Sequence, residues 1–141
     1  MKIVKGIFLH FAYPSSVTTQ SVNIPFGVKF MKIVSSAYEA QSSLGQYLML
    51  FSDMSENQPI SILNQYNSFT DNSSQDILIE FSVPKIIQGN YTFTMFDMSG
   101  KPISSTGDDY LGLIIEFYDE NSFPPRIQEK FTPFLEAPKF H

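Results

Sequence analysis

The chain of 141 residues has no cysteine, no tryptophan, two histidines and a single arginine, Arg126. The lack of cysteine excludes disulfides, thiolate zinc sites and cysteine nucleophiles together. His10 lies within an apolar stretch, so we interpret it as a hydrogen-bonded core or interface side chain, and we interpret His141 as a frayed end. Two such distant histidines predict no transition-metal site, and we expect neither metal nor cofactor.

Motifs that carry catalysis or phosphate binding are also missing. The sequence has no Gly-x-Ser-x-Gly nucleophile turn and no Gly-x-x-x-x-Gly-Lys phosphate loop. We therefore expect no catalytic residues and no enzyme activity, with a small hydrolase or glycosidase as the weaker alternative. The chain has nine basic and fourteen acidic residues, and its lysines and arginine are not clustered in any stretch. We therefore predict no direct nucleic-acid partner.

Long hydrophobic runs are absent as well. No stretch approaches the roughly 18 consecutive apolar residues that a membrane-spanning helix requires, so no membrane span is predicted. The first residues carry Lys2 and Lys5 before an apolar run over Gly6–Tyr13, which resembles a signal peptide at first sight. His10 interrupts that run and no small-x-small cleavage site follows it, so we expect no signal peptide.

Charge is scarce while flat apolar side chains are abundant. Charged residues make up 16% of the chain, against about 25% in an ordinary soluble domain. Fourteen phenylalanines and seven tyrosines supply more aromatic surface than one small core needs. We therefore expect part of the surface to be covered by other copies of the chain, that is, a homo-oligomer.

The apolar residues follow the two-residue period of β-strands, in short segments closed by Pro, Gly, Asn or Asp. No helix alternates with them, so we predict an all-β protein, an antiparallel two-sheet sandwich of about eight strands of jelly-roll type, over residues 1–120. Residues 35–45 are predicted as either a short helix or a polar loop, and residues 14–21 and 64–75 as polar loops. The predicted strands are Ile3–Ala12, Val22–Pro25, Gly27–Val34, Tyr47–Phe51, Pro59–Leu63, Asp76–Val83, Asn90–Asp97 and Tyr110–Tyr118.

The first of these strands is apolar on both faces. One face carries Ile7, Leu9 and Phe11, and the other carries Val4 and Phe8 together with His10. A strand with one solvent-facing side normally alternates apolar with polar residues. This pattern therefore predicts a strand that is covered on two sides.

The last residues, 121–141, differ from the rest in composition. Four prolines forbid a helix of useful length, and phenylalanines are interleaved with them. We predict an extended C-terminal arm that packs on its own domain or on a neighbouring subunit, or else is disordered. The candidate interface residues of this arm are Phe123, Arg126, Phe131, Phe134 and Phe140.

Acidic residues near strand ends leave a second function open. Loops that contain Asp53, Asp97 or Asp119 could supply oxygen ligands for calcium if they met at one end of the sandwich, although Asp also serves ordinary turns. Exposed tyrosines could stack against sugar rings. The alternative is therefore a carbohydrate- or calcium-dependent binding module, with stacking candidates Tyr38, Tyr47, Tyr66 and Tyr110.

The rhythm of strand, turn and strand resembles a known family. Residues Pro84–Gly100 and Leu111–Phe117, together with Tyr47–Asp53 and Gln58–Leu63, are similar to the small single jelly-roll capsid proteins of double-stranded DNA viruses and virus-like elements, of the penton or minor-capsid kind. The resemblance spans Tyr47–Tyr118. It implies a non-enzymatic shell component of the virion that forms a ring, with a pentamer favoured and a trimer possible, and that contacts other capsid proteins. A shell-decoration protein would look the same.

Overall fold

In a computed structural model, residues 1–39, 47–56, 58–64, 69–71, 77–102 and 107–122 are described. These residues form nine strands and one short 3-10 helix, Asp53–Ser55. Each of the eight predicted strands overlaps an observed one. The strands are β1 Lys2–Phe11, β2 Val17–Asn23, β3 Val28–Glu39, β4 Tyr47–Ser52, β5 Pro59–Asn64, β6 Phe69–Asp71, β7 Ile77–Lys85, β8 Gln88–Asp97 and β9 Asp109–Tyr118.

The strands form two antiparallel sheets. One has the order β1-β9-β3, with β7 and β6 pairing successive parts of the remaining edge of β3, and the other has the order β2-β8-β4-β5. The pairs β1/β9, β2/β8, β3/β7 and β4/β5 are nested, so the first half of the chain pairs with the second half in reverse order. This rolled-up hairpin is a jelly roll, and the predicted two-sheet sandwich is confirmed.

The core lies between the two sheets and follows from the alternation of the strands. In β9 the side chains of Leu111, Leu113, Ile115 and Phe117 point inward and are fully or almost fully buried. They meet inward residues of the opposite sheet such as Phe93. Each such side chain contributes about 1.5–3 kcal/mol by leaving water, so this interior drives folding.

Two polar pairs are buried inside the sandwich. The Tyr38 hydroxyl donates to Asp109 Oδ2 at 2.9 Å, and the Oγ atoms of Ser36 and Ser61 lie 3.0 Å apart. The serine pair joins β3 of one sheet to β5 of the other. All four side chains are almost completely buried, where an unpartnered polar group would be costly, so these bonds stabilise the arrangement. The Tyr38–Asp109 bond acts within one sheet and the serine pair acts between the two sheets.

Three segments differ from the sequence predictions. Residues 14–21 were predicted as a loop, but β2 begins at Val17, because its Thr-rich stretch forms an edge strand whose polar side faces outward. Both alternatives for 35–45, the short helix and the polar loop, are wrong over 35–39, where β3 continues and Ser36 and Tyr38 point inward at buried partners. Part of the predicted loop 64–75 is β6, which pairs with β3. Residues 40–46, 65–68 and 72–76 lie outside the described residues.

None of the helical residues that the structure describes forms a segment long and apolar enough to cross a membrane.

Candidate docking surfaces

His10 lies on the outer side of β1, so its prediction as a core residue is wrong. Its Nε2 atom is 3.1 Å from Asp108 Oδ2, and its ring stacks on Tyr110 with 4.8 Å between ring centres. The predicted hydrogen bond is thus present, at the surface. Asp108 also accepts a bond from the backbone N–H of Tyr13, and these two bonds, the backbone one first, lower the pKa of the Asp108 carboxyl.

In the described part of the chain, the acidic residues of the loops accept hydrogen bonds at separate places and do not form one cluster. Asp53 accepts a bond from the N–H of Thr92, and Asp97 accepts bonds from the Ser99 hydroxyl and from two backbone N–H groups of its own turn. The Ser99 hydroxyl is the largest cause of the lowered pKa of Asp97. Within the described ranges, no three His, Asp or Glu side chains are grouped so that they could hold a metal ion.

The candidate sugar-stacking tyrosines do not form one site. Tyr38 is fully buried and bonded to Asp109, so its prediction as a stacking platform is wrong. Tyr66 lies outside the described residues. Tyr47 is exposed on the sheet that contains β4, whereas Tyr110 stacks on His10 on the opposite sheet. The two accessible rings therefore belong to different sides of the sandwich.

The outer side of the four-stranded sheet is apolar over a wide area. We call Tyr47, Met49, Phe51, Ile62 and Phe96 the aromatic face. Phe51 and Phe96 meet edge to face with 5.2 Å between ring centres, and a hollow of about 310 Å³ lies among Met49, these two rings and Gly100. Tyr47 is 49% exposed. These side chains form an apolar, largely aromatic group on the outer side of the sheet, as at protein interfaces.

The outward strand positions on the same side of the sheet carry no charged side chain. They are occupied by apolar residues and by uncharged polar residues, and Asp53 lines a depression at one end, beside Phe51 and Thr92. Few charges have to be dehydrated there, so this side suits contact with another protein surface. The outward positions are Val17, Thr19, Ser21, Asn23, Tyr47, Met49, Phe51, Ile62, Gln88, Asn90, Thr92, Thr94 and Phe96.

The outer side of the other sheet contains a depression, which we call the glycine hollow. Its floor is formed by Gly6 of β1, Gly112 of β9 and Ala37 of β3, and its walls by Phe8 and Ile114. The strand register puts each large residue opposite a glycine, Phe8 across from Gly112 and Ile114 across from Gly6. The hollow has a volume of about 330 Å³.

The walls of the glycine hollow are uncovered by the described chain. Phe8 is 62% exposed and Ile114 is 43% exposed. A Cβ atom added at Gly6 or Gly112 would meet nothing within 4 Å, so the space above the floor is open. Polar pairs lie at the two ends of this side of the sheet, Lys2 with Glu116 and His10 with Asp108. The hollow is therefore an apolar depression framed by polar groups.

The sequence analysis indicated the surface with the glycine hollow but not the aromatic face. The apolar outer positions of the first strand predicted a covering on both sides, and the sandwich covers only the inner one. The aromatic face was not predicted as a surface, although Tyr47, Met49 and Phe51 alternate along β4. The predicted interface residues Phe123, Arg126, Phe131, Phe134 and Phe140 lie outside the described residues.

This chain is similar to known proteins in its three-dimensional structure but not in its sequence. No family model and no curated protein matches the sequence. A chain of the capsid asymmetric unit of cyanophage Pam1 is 10% identical, with a TM-score of 0.50 over 83% of this chain and 84% of that one. At this identity the likeness shows the fold, and it agrees with the jelly-roll topology.

Two further structures are more distant. A protein of infectious bursal disease virus, strain Gx, is 12% identical with a TM-score of 0.46, over 87% of this chain and 33% of that one. The present chain therefore spans about a third of the length of that viral protein. A chain from the disulfide-linked pili of Bacillus endospore appendages is 8% identical with a TM-score of 0.39, over 82% and 87% of the two chains.

Proposed function

We propose that this chain is a structural capsid protein, a shell subunit of a virion that works by self-association and by contact with neighbouring capsid proteins, and not as an enzyme. The observation that carries the proposal is the pair of uncovered apolar surfaces on the two outer sides of a jelly roll. Support also comes from the fold that the chain shares with a phage capsid chain.

The placement of the two surfaces favours a ring or shell. The aromatic face and the glycine hollow lie on different sheets, and therefore on opposite sides of the sandwich. A subunit with one self-complementary surface closes into a dimer. A subunit with two different contact surfaces adds a neighbour on each, and the copies form a ring where the rotation between neighbours closes. We propose a pentamer first and a trimer second.

The composition and the arm fit the same role. The net charge of −5 disfavours direct contact with nucleic acid, so the proposed partners are proteins. We propose that Phe123, Arg126, Phe131, Phe134 and Phe140 belong to the contacts between subunits, as aromatic anchors with one arginine.

The test is the mass of the full chain in solution, measured by light scattering after size-exclusion chromatography, for wild type and Phe96→Glu. Phe96 lies beside Met49 and Phe51 on the aromatic face and is only partly buried, so the substitution leaves the core intact while it places a charge in the proposed contact. We expect assembly of wild type and loss of assembly in the variant.

Val83→Glu is the matched control, because Val83 is an even more exposed apolar residue that lies outside both surfaces. We expect this variant to assemble like wild type. Wild type that stays monomeric at every concentration would refute the proposed function. Equal assembly of Phe96→Glu and wild type would refute the role of the aromatic face.

A further inference from the structure

We propose that the glycine hollow binds a phenylalanine side chain from residues 123–141 of a second copy of this chain. This inference rests on the proposed function, since it names the contact through which one subunit would hold the next. It commits to one occupant: a segment of the neighbour, not of the same chain.

The hollow has the shape that a flat apolar ring requires. Gly6 and Gly112 have no Cβ, so a ring can rest directly on the sheet backbone between Phe8 and Ile114. A cavity of about 150 Å³ is sufficient for a benzene molecule. The observed 330 Å³ therefore accommodates one phenyl ring and the backbone next to it. The walls are apolar, so the ring and the walls would leave water together.

The chain beyond Ser122 supplies such rings in a suitable form. Its 19 residues contain Phe123, Phe131, Phe134 and Phe140 among four prolines. Prolines restrict the free segment before it binds, which lowers the entropy lost on docking. The segment has three basic and two acidic residues, against six basic and twelve acidic in residues 1–122. The segment therefore lacks the excess of acidic side chains found in the sandwich, so charge repulsion opposes their encounter little.

The end of the described chain indicates how the segment leaves. Residues 119–122 form a turn, closed by the N–H of Ser122 on the carbonyl oxygen of Asp119, and the Met1 amino group binds both Ser122 Oγ and Asp119, each at 2.8 Å. In the sequence, Phe123 and Pro124 each precede a proline, which disfavours helical backbone at both positions and so favours an extended exit from the turn.

Exchange of segments between copies can also fill the glycine hollow of every subunit. Each copy has one glycine hollow and one C-terminal segment, so in a closed ring each copy gives one segment and receives one. The hollow and the aromatic face would then both be covered in the assembly. In the structure of the single chain, Phe8 at the hollow is 62% exposed.

Disulfide trapping tests the proposal directly, because the full chain has no cysteine of its own. Ser35 lines the hollow and Thr132 stands between Phe131 and the Pro133-Phe134 pair, so Ser35→Cys and Thr132→Cys leave floor, walls and phenylalanines intact. The two full-length single variants are mixed, oxidised gently and separated by mass. We expect a disulfide-linked pair with one chain of each kind.

Val83→Cys, at an exposed position outside both surfaces, is the matched control in place of Ser35→Cys. We expect the hollow pair to form roughly tenfold more linked product or more, since docking raises the effective concentration of the two thiols. Gly112→Leu in the Ser35→Cys chain places a side chain in the hollow, where a Cβ atom meets no described atom within 4 Å, and should reduce the product to the control level.

Two results would overturn the inference. Linkage no greater than with Val83→Cys would show that the segment does not dock in the hollow. A chain with both cysteines that links within itself at dilution, while the mixed single variants stay unlinked, would show that the segment covers its own sheet. If light scattering still shows assembly in these cases, only this inference fails; if the chain is monomeric throughout, the proposed function fails with it.

Discussion

Replacing Tyr38 by phenylalanine removes a single oxygen atom from the interior of the sandwich. Tyr38 in β3 has no exposed surface and donates its hydroxyl proton to Asp109 Oδ2, which is also buried. The phenyl ring of the variant keeps the packing of the tyrosine ring. The change therefore isolates the hydrogen bond: Asp109 loses one partner in a place that water does not reach.

The size of the effect follows from that geometry. Leaving a buried acceptor without one of its partners costs about 1–3 kcal/mol of unfolding free energy. A chain of 141 residues has an unfolding entropy of roughly 0.3 kcal/mol per degree, so Tm should fall by roughly 3–10 °C. The assay is urea unfolding together with a thermal melt, with all variants at one protein concentration, because assembly itself adds stability.

Tyr13→Phe provides the control. Tyr13 lies beyond the end of β1 with more than half of its side chain exposed, and the same oxygen is removed there without a buried partner. We expect its urea midpoint and Tm to equal those of wild type. If Tyr38→Phe also unfolds like wild type, the buried Tyr38–Asp109 bond does not stabilise the fold and our account of the polar core is wrong.

The other stability predictions concern one buried pair and one turn. Ser36→Ala and Ser61→Ala should each lower the unfolding free energy by about 1 kcal/mol, and the double variant by clearly less than the sum, because the first change already leaves the second hydroxyl without its bond; additive urea midpoints would contradict this. Since the pKa of Asp97 is lowered in the folded state, its stabilisation is present above the ordinary value of 3.8 and is lost as the pH falls below that value. Asp97→Ala should therefore be less stable than wild type at pH 7, with a gap that narrows below pH 3.8; a gap that is equal at both pH values, followed by urea unfolding, would contradict the role of the carboxylate.

Much of the fold could be predicted from the alternation of apolar and polar residues along single strands. Strands such as β8 and β9 have strict inward and outward periods, so both their positions and their inner residues could be predicted. The misses lie where strands carry polar residues. The serines and threonines of β2 are typical of a loop, so a loop was predicted, but this segment is a strand because it pairs with β8. Ser36 and Tyr38 likewise find buried partners that are far away in the sequence. Tertiary pairing overrode local composition in each case.

The candidate surfaces were less predictable than the fold. Gly6 and Gly112 are separated by more than a hundred residues, and only the register of β1 on β9 brings them to one hollow. The apolar outer side of the first strand did indicate a missing cover. The aromatic face depends on β4 and β8 being neighbours, which puts Met49 opposite Phe96. Alternation within one strand cannot reveal such a neighbour, since it reports faces and not strand order.

Sedimentation of the unmodified full chain over a range of concentrations tests the central claim most directly. We predict a species whose mass is a fixed small multiple of 16.0 kDa, with five copies expected first, and growth of that species as concentration rises. A single species of 16.0 kDa at every concentration would contradict the account. It would show that the two apolar surfaces do not bind a second copy of the chain.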